Sequence, residues 1–270
     1  MSSLSILITG ASSGIGAEYA RQYAARGAKV ALVARRADRL AAVAEECRQR
    51  GAPAALVLPA DVTDAVACAD AVARADAELG GLDRAILNAG GYGVRSSAEL
   101  AHARDIDWSA GSFSPEAAQK VMALNYGGTV NCLGPVLAAM RPRHAGVVAV
   151  TGAQAADRGY PLHGPYAAAK AAVRALFDAL RADAARFGIA LVLVEPGCVT
   201  SELTEHNCCD EMPFLQPTDR AVRAFIEGIE ARRAVVRFPL HGSLLSQAAA
   251  AVPRALFDQW AKTRLPKVES

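Results

Sequence analysis

Short apolar runs of β type alternate with longer Ala-rich stretches through most of this 270-residue chain, and that alternation restricts the fold more than any other feature. Residues 6–9 (ILIT), 29–34 (KVALVA), 54–59 (AALVLP), 84–88 (RAILN), 146–151 (GVVAVT), 189–194 (IALVLV) and 234–238 (AVVRF) are apolar nearly throughout. A strand with one wet face alternates apolar and polar side chains. Unbroken apolar runs instead mark strands buried on both faces, as in a parallel sheet covered by helices. The segments between the first six runs have helical length and are rich in Ala, Leu, Arg and Glu, which makes repeated βα units and a doubly wound α/β fold of about seven strands. Gly27, Gly51, Gly80 and Gly188 each fall shortly before the next run, where a helix must stop.

The totals suit one domain spanning 1–270, since about half the residues are apolar and no internal repeat or linker divides the chain. Lys and Arg number 29 against 27 Asp and Glu, so no basic excess argues for nucleic acid, and a small-molecule substrate is expected. The six cysteines form no CxxC pair, which fits reduced thiols in the cytoplasm. No leader pattern opens the chain and no run of about 18 apolar residues occurs, so no integral membrane segment is expected. Two connections, 91–115 and 196–217, are longer than such loops usually run. Both fall where strands end, the side on which open α/β sheets bind ligands, so both are candidate substrate loops.

After the first run comes TGASSGIG, with Gly10, Gly14 and Gly16 at the strand-to-helix junction. Glycines there allow a tight turn and close approach to a pyrophosphate, and the helix N-terminus offers free N–H groups. This is the Rossmann-type arrangement for a dinucleotide. At the end of the second run, where NAD-binding chains usually present Asp or Glu, this one has Ala34, Arg35 and Arg36. Loss of the carboxylate and gain of guanidinium favour the 2′-phosphate of NADP(H), against the alternative of two solvated arginines.

With TGASSGIG, NAG at 88–90, YAAAK at 166–170 and EPG at 195–197 in order, the sequence resembles the short-chain dehydrogenase/reductase family over roughly residues 4–240. The resemblance implies an NADP-dependent oxidoreductase. Gly10, Ser12, Ile15 and Gly16 match the family's pyrophosphate turn, with Ser13 and Gly14 in the same turn. Arg35, beside Arg36, matches the reader of the 2′-phosphate, and Asp61 with Val62 matches the pair that brackets the adenine. Asn88, Ala89 and Gly90 match the stretch lining the cofactor. Pro196, Gly197 and Val199 match the nicotinamide segment, with Ser201 where threonine is frequent. Tyr166 matches the proton donor and acceptor. Lys170, one helical turn on, matches the cation that favours tyrosinate and grips the ribose, and Asn125 matches the residue that kinks its helix and supports a proton relay. Family members are commonly homodimers or homotetramers.

The chain departs from the family at one place. Thirteen positions before the tyrosine, where the family has a serine that donates to the substrate oxygen, stands Ala153, and no serine occurs between Val150 and Tyr166. Loss of such a donor can cost on the order of 3 kcal/mol in the transition state. Thr151 shares a strand face with position 153 but lies about 6.6 Å further back. Gln154 and His163 either donate to substrate from the loop or satisfy loop carbonyls. Three explanations stand open: a substitute donor, a substrate that carries its own donor or needs none, or loss of the redox reaction. The rival readings are a redox-neutral isomerase, dehydratase or cyclase and a non-catalytic NADPH sensor; the joint presence of Tyr166, Lys170 and Asn125 favours the reductase. EHNCCD at 205–210 lacks zinc-ligand spacing, so no metal is expected. The tail, 241–270, has apolar residues at helical spacing and is expected to cover the pocket or join a subunit interface.

Overall fold

The computed structural model describes residues 3–91, 113–161, 163–202 and 214–263. Among them, seven strands form one parallel sheet: β1 Ser5–Thr9, β2 Lys29–Ala34, β3 Ala55–Pro59, β4 Arg84–Leu87, β5 Gly146–Thr151, β6 Ile189–Pro196 and β7 Val235–Phe238. Their spatial order is β3-β2-β1-β4-β5-β6-β7. The order reverses between β1 and β4, and the crevice above that switch point is where a doubly wound sheet accepts a dinucleotide.

The apolar runs are buried on both faces, as their composition requires. Ile6 and Ile8 of β1 pack with Tyr19 and Tyr23 of α1 (Gly14–Ala24), with Leu40 and Val43 of α2 (Ala37–Gln49), and with the other residues of one core. Leu7, pointing the other way, joins a second core with Val72 and Leu79 of α3 (Ala65–Leu79). α4 spans Pro115–Met122, and a short π-helical turn, Ala123–Gly127, joins it to α5 (Gly128–Met140). α5 and α6 (Gly164–Ala185) cover the second face through Cys132, Val136, Val173 and Phe177. α7 (Thr218–Glu230) completes the first face through Val222 and Phe225.

Local chemistry sets the helix ends. Asp64 caps α3 by accepting from the Val66 and Ala67 N–H groups, and Gly80 ends it in the left-handed region at φ 80°. Two further helices, α8 (Leu240–Ala251) and α9 (Arg254–Lys262), form the tail. Segments 92–112, 203–213 and 264–270 lie outside the described residues, so most of each expected substrate loop, EHNCCD included, is not placed. Among the described residues no helix is long and apolar enough to cross a membrane, and no group of His, Cys, Asp and Glu could hold a metal.

Candidate active site

The glycine turn fits a dinucleotide on its geometry. Gly10 has φ +68°, and a Cβ there would stand 2.9 Å from Ala89 Cα, so β1 and the Asn88–Gly90 stretch meet at a separation that only glycine permits. Thr9 Oγ1 accepts from the N–H groups of Asn88 and Ala89, at 2.9 and 3.0 Å, which locks that stretch beside the turn. The N-terminus of α1 has no side-chain cap and no acidic residue in its first turn, so its free N–H groups and partial positive charge suit an anion. Ser201 packs across the turn, 3.3 Å from where a Gly14 Cβ would be. Pro196 ends β6, the Gly197 N–H donates to Phe238 O, and Val199 pairs with Gln216.

The two arginines after β2 diverge. Arg35 reaches Asp61 at 3.8 Å, while Asp61 also accepts from the Thr63 N–H and hydroxyl. The Val62 carbonyl accepts from Asn131 at 2.9 Å, tying the expected adenine bracket to α5. Arg36 instead turns back over the glycine turn and donates to Ser13 Oγ at 2.9 Å and Ser12 Oγ at 3.1 Å. It also pairs with Glu202 at 3.3 Å, and Arg39 pairs with the same carboxylate. Arg39 and Glu202 were not singled out from the sequence.

Tyr166 and Lys170 lie on one face of α6, with the Lys170 Nζ 5.7 Å from the Tyr166 ring centroid. Lys170 is buried and donates to Thr151 O at 2.8 Å. Asn125 sits in the π-helical turn and makes a reciprocal clamp: its Nδ2 donates to Gly91 O at 2.7 Å, and its Oδ1 accepts from the Gly91 N–H at 3.1 Å. Gly90 completes the contact, since a Cβ there would lie 2.7 Å from Asn125 Oδ1 and 3.1 Å from Lys170 Nζ. Asn125, Lys170 and the Asn88–Gly90 stretch are thus brought to one place.

Burial pushes the Lys170 ammonium down to about 8. An unfolded lysine keeps its proton to about 10.4. Between those values the unfolded chain holds more protons, so rising pH favours the fold, and the buried charge opposes it below pH 8. Lys170→Met, uncharged and of similar length, is therefore expected to be more stable relative to wild type at pH 7 than at pH 9.5, by about 2 kcal/mol. Urea denaturation at the two pH values measures this, and equal differences would show that burial leaves the proton affinity unchanged.

The groups around Ala153 have other partners. Ala153 is buried at the start of a 3₁₀ turn, Gln154–Ala156. Thr151 Oγ1 donates to Asn88 Oδ1 at 3.0 Å. Gln154 is buried, and its amide NH₂ donates to Glu195 O and Phe238 O at 3.3 and 3.4 Å, so it takes the role of satisfying main-chain carbonyls. His163, exposed just before α6, lies with Nδ1 2.9 Å from Pro161 O, which makes Nδ1 the protonated nitrogen because a carbonyl only accepts.

A model of the short chain dehydrogenase family matches residues 5–211. The chain belongs to the short-chain dehydrogenase/reductase family. It is 34% identical to an uncharacterized oxidoreductase of Myxococcus xanthus over 262 residues, 97% of this chain and 98% of that one. To 11-beta-hydroxysteroid dehydrogenase-like 3 of Arabidopsis thaliana it is 32% identical, over 83% of this chain and 69% of the relative. Among solved structures it is similar to a short-chain dehydrogenase from Sphingobium yanoikuyae in complex with NADPH, with TM-score 0.75 and 26% identity over 99% of this chain and 98% of that one.

The chain also carries a charge quartet behind the expected nicotinamide segment that sequence reasoning missed. Arg174 of α6 pairs with Glu195 at 2.5 Å and Asp157 at 2.8 Å, and Arg237 of β7 pairs with the same two at 2.6 and 2.9 Å. Glu195 is fully buried. The available signal was a carboxylate closing the run LVLVE, which inside a buried strand requires a cation.

The tail docks on the stretch between Ala153 and Tyr166. Ser246 of α8 donates to Gln154 O and Asp157 Oδ2. Arg158 donates to the carbonyls of Ala249, Ala250 and Val252 at the end of α8 and lies 3.8 Å over the Phe257 ring. Tyr160 meets Phe257 and Trp260 edge-on. Leu240, Leu244, Leu245 and Leu256 are exposed on the outer side of these two helices.

Proposed function

We propose that this protein is an NADP(H)-dependent oxidoreductase acting on a carbonyl, alcohol or imine group of a small molecule, with Tyr166 as proton donor and acceptor. When bound, the cofactor supplies or accepts the hydride at its nicotinamide ring. Tyr166 gives its hydroxyl proton to the substrate oxygen in reduction and recovers one in oxidation. Lys170 supplies positive charge beside the Tyr166 ring, and Asn125 holds the backbone at Gly91 next to the amine. The observation that carries the reading is the buried Lys170 one helical turn from Tyr166, in contact range of the Gly90 backbone. An amine is taken out of water at a cost that a solvated face would not require.

NADP(H) rather than NAD(H) is supported by Arg36 beside Ser12 and Ser13, by the lack of a carboxylate at 34–36, and by the NADPH complex of the Sphingobium relative. The exposed leucines of α8 and α9 support a homodimer or homotetramer.

The site is atypical at Ala153. With the Thr151 hydroxyl on Asn88 and the Gln154 amide on two carbonyls, a substrate that is strongly activated, or that carries its own donor, fits best. NADPH oxidation over simple ketones, diketones, imines and quinones tests the reading. Wild type is expected to turn over diketones or quinones in preference to simple ketones, and with NADPH in preference to NADH. Ala153→Ser is expected to raise the rate on simple ketones. Tight NADPH binding without oxidation of any substrate by wild type, together with turnover by Ala153→Ser, would replace this reading with a redox-neutral reaction.

A further inference from the structure

Glu202 occupies the position of an anion that the chain provides for itself. Its carboxylate receives two guanidinium groups, Arg36 from the start of α2 and Arg39 one turn on. Arg36 is at the same time bonded to Ser12 and Ser13 in the glycine turn. The guanidinium groups gathered on this one carboxylate therefore come from the end of β2 and the first turn of α2, where the 2′-phosphate of the expected cofactor would be read. Glu202 belongs to the segment after β6 and meets Arg36 across 166 residues of sequence.

We propose that Glu202 is a built-in competitor for the cofactor's 2′-phosphate, so that Arg36 and Arg39 exchange the carboxylate for phosphate when the cofactor binds, and Glu202 sets the affinity. The inference rests on the reading of Arg36 as a phosphate-binding residue. Two charges of like sign cannot share the same two guanidinium groups without loss, so the carboxylate lowers the affinity for every ligand carrying the 2′-phosphate and leaves ligands without it nearly unaffected. Both arginines and Glu202 have side chains about two-fifths exposed, at 38–41%, so solvent screens the competition and its size is modest.

Calorimetric binding of adenosine 2′,5′-bisphosphate and of adenosine 5′-monophosphate to the full chain tests this without turnover. Glu202→Gln, which keeps the shape and removes the charge, is expected to bind the bisphosphate about 3- to 10-fold more tightly and the monophosphate within about twofold of wild type. Unchanged or weaker bisphosphate binding overturns the proposal and would assign Glu202 to holding Arg36 in place. Arg36→Ala is measured alongside, with thermal melting to confirm that each variant folds. If Arg36→Ala leaves the preference for the bisphosphate intact, Arg36 does not read the 2′-phosphate, Arg35 keeps that role, and the proposal falls with the NADP(H) reading untouched. If that preference collapses while Glu202→Gln changes nothing, only the competition does.

Discussion

Tyr166→Phe is expected to bind NADPH within about threefold of wild type and to lose turnover by about 10²- to 10⁴-fold, the range for removal of a positioned general acid or base. The substitution deletes one oxygen from a partly buried helix position and leaves the ring, so α6 and the Lys170 contact to Thr151 O remain. Proton transfer to the substrate oxygen then has no donor in place. The replacements at hand are poor, because Ala153 offers none, the Thr151 hydroxyl is on Asn88, and the Gln154 amide is on β6 and β7. Stopped-flow reduction of the best substrate from the carbonyl panel, with NADPH affinity measured by fluorescence, separates the two effects. Turnover close to wild type in Tyr166→Phe would remove the tyrosine from the chemistry.

Glu195→Gln should lower stability by about 3–5 kcal/mol, the usual cost of leaving a buried charge without its partner. The carboxylate is shared by Arg174 and Arg237, and Asp157 alone cannot balance both guanidinium groups. Against a typical total of about 5–15 kcal/mol that is a large fraction. The loss should not stay local. Asp157 follows the 3₁₀ turn after Ala153, Glu195 precedes Pro196 and Gly197, and Ser246 brings α8 to Asp157, so one broken partner loosens three walls of the site. Urea denaturation measures the effect, and a loss below about 1 kcal/mol would mean that solvent already reaches the quartet.

The sheet was legible because its signal is local. A continuous apolar run such as KVALVA states its burial on both faces residue by residue, and the observed β2 has the same bounds, Lys29–Ala34. The glycine turn was legible for a similar reason, since a tight turn with positive φ calls for glycine, and Gly10 and Gly14 have it. The partners of charged residues were not. Arg36 finds Glu202 at a separation of 166 residues, and Arg237 finds Asp157 at 80, and no periodicity carries such pairings. Gln154 shows the same limit: its type allowed donation to substrate or to main chain, and only the end of β7 beside it decides for the latter. The helical spacing of the tail foretold α8 and α9, while their anchor, Arg158, gave no sign in a loop of mixed polarity.

The strand order also has a consequence for synthesis on the ribosome. β3, β2, β1 and β4 are neighbours in space and are all encoded before residue 88, so half of the sheet can assemble early. The open edge of β4 then waits for β5, which is complete only at Thr151. At ordinary elongation rates of about 5–20 residues per second, that wait lasts roughly 3–13 s. For that interval the nascent chain presents an apolar strand with unpaired N–H and C=O groups, a template for pairing with neighbouring nascent chains. The yield of soluble protein should therefore depend on translation speed between β4 and β5 more than on any other stretch of the message.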